Sequence, residues 1–145
     1  MNRSRGRVVR WFVPVVLATV LAACGPGRAD FENRHVSELT RALRAGGLEV
    51  CSVAANPDGL ANQAISTKIV DAGIDCHDER VSLIVDRFAE AEDRDQAART
   101  FEAQARPRGD GVVWTWGPFT IFAVGDREDS VMDRLTEALD RLGAV

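Results

Sequence analysis

The chain has 145 residues, a formal charge of −4 at neutral pH, 46% hydrophobic residues and three cysteines. That length supports one small domain around a single core. The acidic balance excludes a broad nucleic-acid-binding surface, which needs clustered Lys and Arg. The basic residues are 17 Arg and one Lys, Lys68, a bias of the kind a GC-rich genome imposes, so no arginine chemistry is read from it.

The chain opens with Arg3, Arg5, Arg7 and Arg10 and no acid, followed by an apolar run from Trp11 to Val20 that contains Thr19 and the helix-breaking Pro14. This is the layout of a secretory signal. The run is too short to span a bilayer, which takes about 20 residues. Gly25-Pro26-Gly27 breaks it at once, which disfavours a signal anchor. Arg5 and Arg7 are not adjacent, so a twin-arginine signal has no support. Directly behind the run, Leu21-Ala22-Ala23-Cys24 resembles the lipobox of bacterial lipoproteins. The resemblance implies cleavage before Cys24 and a lipid on its sulfur. It divides the chain into a signal peptide (1–23), a lipidated tether (24–33) and one domain (34–145). The rival reading is a simple secretory signal cut at an Ala-x-Ala site. Loss of the four leader arginines takes the formal charge from −4 to −8. Membrane affinity then comes from the lipid rather than from attraction to anionic headgroups.

With Cys24 lipidated, Cys51 and Cys76 remain as an even pair in an oxidising compartment, where a disulfide is the expectation. The competing reading is a metal site built from Cys51, Cys76, His77 and Asp78, which lacks the C-x-x-C spacing of zinc sites.

Residues 34–46 read as a helix, with Val36, Leu39 and Leu43 at spacings of three and four and Gly46-Gly47 as the stop. Leu48 to Ala54 reads as a strand, Leu48, Val50 and Ser52 opposing Glu49, Cys51 and Val53. Asn56-Pro57-Asp58-Gly59 is a turn. Residues 63–72 suit a strand or one helix face; the β-branched Ile65, Thr67, Ile69 and Val70 favour the strand. Val81 to Phe88 alternates as a strand, Val81, Leu83 and Val85 against Ser82, Ile84 and Asp86. Glu90 to Ala105 is a helix with acids in its first turn and Ala97, Ala98, Phe101 and Ala105 on its buried side. Val112 to Trp116 and Phe119 to Val124 form a hairpin through Gly117-Pro118. A last helix is capped by Asp126, with Asp129 reaching back, and its core stripe is Val131, Leu135, Leu139 and Leu142.

Trp114 and Trp116 lie two apart and share one face of a strand. They form either an aromatic platform, a candidate binding face, or core beneath helices around Phe101 and Leu135; burial is the expectation. His35, at a helix start, reads as a capping or solvated residue. The Arg-Gly-Asp tripeptide at 108–110 is too short a match to carry integrin binding. No nucleophile elbow, zincin motif, Walker loop or dinucleotide fingerprint is present.

These readings give an α+β fold: a two-layer sandwich with an antiparallel or mixed sheet, helices on one face, broadly ferredoxin-like. The expected function is a lipid-anchored cell-envelope protein with a small non-enzymatic binding or accessory domain. It would work at the extracytoplasmic face of the membrane, take no cofactor or metal, and have another envelope component as its partner. A ligand-binding module with a pocket between sheet and helices is the alternative, and a hydrolytic or metal-dependent enzyme is third.

Overall fold

The structure is a computed structural model that describes residues 31, 33–57, 61, 63–77, 79–124 and 130–145. Cys24 with its leader, the Asp58-Gly59 half of the first turn, Asp78, and the Asp126 and Asp129 caps lie outside the described residues. The described elements follow in the order α1 (Val36–Ala45), β1 (Glu49–Ala55), β2 (Ser66–Gly73), β3 (Arg80–Arg87), α2 (Ala91–Ala105), β4 (Gly111–Trp116), β5 (Phe119–Val124) and α3 (Ser130–Leu142). None of the described helices is long and apolar enough to cross a membrane.

The fold is α+β, with a five-stranded sheet in the order β1-β2-β3-β5-β4 and every neighbouring pair antiparallel. β1 to β3 form a meander. β3 and β4 both run antiparallel to β5 and so parallel to each other, joined by α2 as a split β–α–β unit. The ambiguous stretch resolves as strand β2, as its β-branched residues favour.

One face of the sheet carries Val70, Ala72, Leu83, Val85, Ile121 and Ala123, and α1 and α3 pack over it with Leu39, Leu43, Leu135 and Leu139. Each of these ten is fully buried or within 1% of it. At about 1.5–3 kcal/mol per large aliphatic side chain, this layer supplies most of the driving force for folding.

The expectation of helices on one face alone is corrected by α2, which lies on the opposite face. There Phe101 stacks on Phe122 with centroids 5.2 Å apart and planes 3° from parallel. Phe88 and Ala97 complete this second, smaller core. The cause is β5: Phe119 and Ile121 point to the first core and Phe122 to the second, so both of its faces need cover. Alanines let α2 approach closely. A Cβ on Gly111 would sit 2.7 Å from the Ala105 Cβ and 2.7 Å from the Phe122 ring, so only glycine fits there.

β1 departs from its expected alternation. A bulge between Val50 and Ser52 resets the phase. Val50 now pairs with Ala72 and Val53 with Val70 on one face, while Ser52 pairs with Asp71 on the other. The β4–β5 turn is as tight as its sequence implies, with Gly117 at φ 52° in the left-handed region. The outer edge of β4 is partly closed by the C-terminal residue, since Val145 and Thr115 each donate a backbone N–H to the other's carbonyl.

Candidate functional site

Cys51 falls at the β1 bulge, without a ladder partner, and is bonded to Cys76 in the β2–β3 loop, Cα to Cα 5.4 Å. The disulfide leaves neither sulfur as a thiolate, so the metal reading of Cys51, Cys76, His77 and Asp78 loses two of its four ligands. Among the described residues no group of His, Cys, Asp and Glu is placed to hold a metal ion.

Trp114 and Trp116 share a face and are 5% and 4% exposed, in the first core. Trp116 stacks on Phe119 at 5.6 Å. As candidate binding residues they are therefore out of a ligand's reach. Their cover differs from the expectation in one respect: Leu135 lies on their side of the sheet, whereas Phe101 lies across it.

Asp86 lies on the face opposite Val85, as alternation assigns it. Although a carboxylic acid, it is fully buried there. It lies on the α2 side, between partners Thr67 on β2 and Thr120 on β5. The Thr67 hydroxyl donates to Oδ1, and Oδ2 has no hydrogen-bond partner among the described residues. Burial raises its pKa above the ordinary 3.8, and the Thr67 bond opposes this only in part. The folded state thus holds this proton more tightly than the unfolded chain. Stability from this group is greatest below the ordinary carboxylate value and is lost as pH rises through the raised one. Asp86→Asn is expected to flatten that decline and to be at least as stable as the parent at pH 7, since a buried unpartnered charge costs about 1–3 kcal/mol or more. Urea unfolding from pH 4 to 7 measures it; parallel curves for the two proteins would show that Asp86 does not titrate with folding.

Asp71, on the exposed part of the same face, behaves oppositely. Hydroxyls of Ser52 (2.7 Å) and Ser82 (2.6 Å) donate to its two oxygens and hold its carboxyl below its usual range. This ladder ties β1, β2 and β3 together and leaves no acid–base pair.

Among the described residues, three clefts stand out. The largest, about 420 Å³, lies between the end of α2 and β4 and is lined by Glu102, Arg106, Gly109 and Val113 among others. A second, about 240 Å³, runs along α2 beside Gln63, Gln96, Thr100 and Gln104 and has no charged lining residue. The third, about 330 Å³, is different in kind: Arg34, Lys68 and Arg87 line it and no carboxylate does.

Sheet register builds the third cleft. Ser66, Arg87 and Phe119 pair in one row across β2, β3 and β5, and Lys68 sits one inward step along β2 beside Val85. The first turn of α1 closes it, with His35, Val36 and Ser37 in the wall. The leading N–H groups of a helix have no acceptor within it and carry its positive dipole end. Arg34 is held by two contacts, 3.0 Å from the Glu38 carboxylate and 5.3 Å above the Trp116 ring. Glu38 also accepts the His35 backbone N–H at 3.1 Å, and these two bonds lower its pKa, the backbone bond first. Lys68 and Arg87 enter from neighbouring strands.

Sequence reading missed this cleft because its cations were assigned to compositional bias. The available signal was Lys68 itself, the one lysine of the chain, in a strand with Val70 and Ala72 on its face.

Fold and site together define a class: a small disulfide-stapled α+β domain with a cationic cleft among its described residues. No protein family, curated protein or solved structure matches the chain.

Proposed function

We propose that this chain is a lipid-anchored extracytoplasmic protein whose domain binds rather than catalyses. The observation that carries the reading is the Cys51–Cys76 bond, because such a staple belongs to oxidising compartments. It agrees with the signal-like leader and the lipobox-like Leu21-Ala22-Ala23-Cys24. The binding role draws support from the titratable groups. His35 lies at the Ser66 end of β2 and His77 beyond its Gly73 end, a strand length of roughly 24 Å apart. Asp86 is sealed in a core. None of the three clefts brings a carboxylate together with a histidine and a hydroxyl among its described residues. Arg34 follows Cys24 by ten residues, a reach of at most about 35 Å, so the domain would work close to the membrane surface.

Cys24→Ala is expected to move the protein from the membrane fraction to the soluble fraction or to leave it unprocessed. Fractionation with mass spectrometry of the N-terminal peptide checks this. An unacylated mature form starting at another residue would overturn the anchor.

A further inference from the structure

We propose that the cleft of Arg34, Lys68 and Arg87 binds a phosphoryl group that carries an organic fragment. The proposal names the ligand class for the binding role above, but it does not depend on the lipid anchor.

Charge is the first argument. The chain is acidic overall, yet three cations line this cleft and no carboxylate of the described residues does. Like charges brought together are unfavourable unless an anion relieves them. Glu38 relieves Arg34, from outside the cleft lining. Lys68 has no ion pair among the described residues.

Donor number is the second argument. The Lys68 ammonium, the Arg34 nitrogens not bonded to Glu38, the Ser37 and Ser66 hydroxyls and the start of α1 offer more N–H and O–H groups than one carboxylate accepts. A phosphate ester presents more acceptor oxygens and up to two charges, which suits that surplus.

Shape is the third. About 330 Å³ is some ten times the volume of a water in the liquid, too much for a bare phosphate. The buried Phe119 supplies an apolar wall for the attached fragment. The acidic surface disfavours broad adhesion to anionic membranes, but a local cleft is not bound by net charge.

The ligand could be a soluble phosphate ester or a phospholipid headgroup, and one experiment separates them. Lys68 is the only lysine, so an amine-acetylating reagent followed by peptide mapping reads this cleft directly, the N-terminal amine appearing in its own peptide. The full-length protein is labelled in neutral detergent with glycerol phosphate, or with sodium chloride at the same ionic strength. It is labelled again in vesicles of phosphatidylglycerol or of phosphatidylcholine. Protection of Lys68 by millimolar glycerol phosphate but not chloride is the expected result and indicates a soluble ester. Protection confined to phosphatidylglycerol vesicles supports the phosphoryl site with a headgroup as its source. Arg87→Gln should raise the half-protecting concentration about tenfold or more, the loss of one charge-assisted bond. Arg34→Gln serves the same purpose if Arg87→Gln does not fold, as judged by tryptophan fluorescence. No protection in any condition, equal protection by chloride, or protection unchanged in the folded variant would overturn the proposal. The mass of the N-terminal peptide in the same digest reports lipidation separately, so failure of the anchor and failure of the site are distinct outcomes.

Discussion

Trp116→Ala is expected to destabilise the protein by roughly 3–5 kcal/mol, and Trp114→Ala by a similar amount, the cost of emptying a large core site. Small domains hold only about 5–15 kcal/mol in total, so each change removes a large share. Trp116 carries more than its area: it stacks on Phe119 and supports the Arg34 guanidinium from below. Its loss should therefore also loosen the wall of the cationic cleft, an effect Trp114→Ala should not share. Thermal unfolding followed by far-ultraviolet circular dichroism reads the stability, and a fall of more than about 10 °C is expected. A double variant that melts within a few degrees of the parent would overturn the core assignment and return the hairpin to candidacy as a binding platform.

Removing the staple should have the next largest effect. Cys51→Ser with Cys76→Ser opens a loop with a sequence separation of 25, which the chain-entropy account values at about 3.5 kcal/mol. The loss should not be uniform. β1 is an edge strand, exposed over Ser52 to Ala55, and beyond its ladder to β2 it is held by this bond, by the Ser52–Asp71 contact and by Val50 against the first core. Without the disulfide, amides of Glu49–Ala55 should exchange faster than those of β3 and β5, which lie inside the sheet. Hydrogen exchange resolved by peptide tests this. Equal melting of the oxidised and reduced parent would mean that the bond constrains nothing the fold does not already hold. Cytosolic expression should reproduce the reduced behaviour, which links the staple to the compartment proposed for the protein.

The two effects rest on features of different legibility. A pair of tryptophans two apart on a strand, flanked by Gly117-Pro118 and an apolar second strand, signals burial by itself, because a small domain rarely leaves two adjacent indoles in water. The cysteine pairing was legible only through its leader, which sets the compartment. The bulge that frees Cys51 from the ladder had no local signal, since Leu48 to Ala54 alternates acceptably without it. Asp86 shows the limit of alternation. Its period assigned it correctly to the face opposite Val85, but whether that face is wet depends on where α2 packs.

Local patterning determined the elements and their order: the apolar stripes of α1 and α3, the alternation of β3, the Ala-rich buried side of α2 and the Gly-Pro turn. These signals act over a few residues, and the structure keeps them almost to the residue. Tertiary structure alone decided the rest. The apolar character of both β5 faces allowed a second core, but only packing placed α2 there and thereby buried Asp86. The cationic cleft is a product of pairing register: Arg34, Lys68 and Arg87 are far apart along the chain, and a one-residue slip of β2 would turn Lys68 to the other face. Composition counts such charges but cannot bring them together, because convergence is set by long-range strand pairing rather than by any neighbour in sequence.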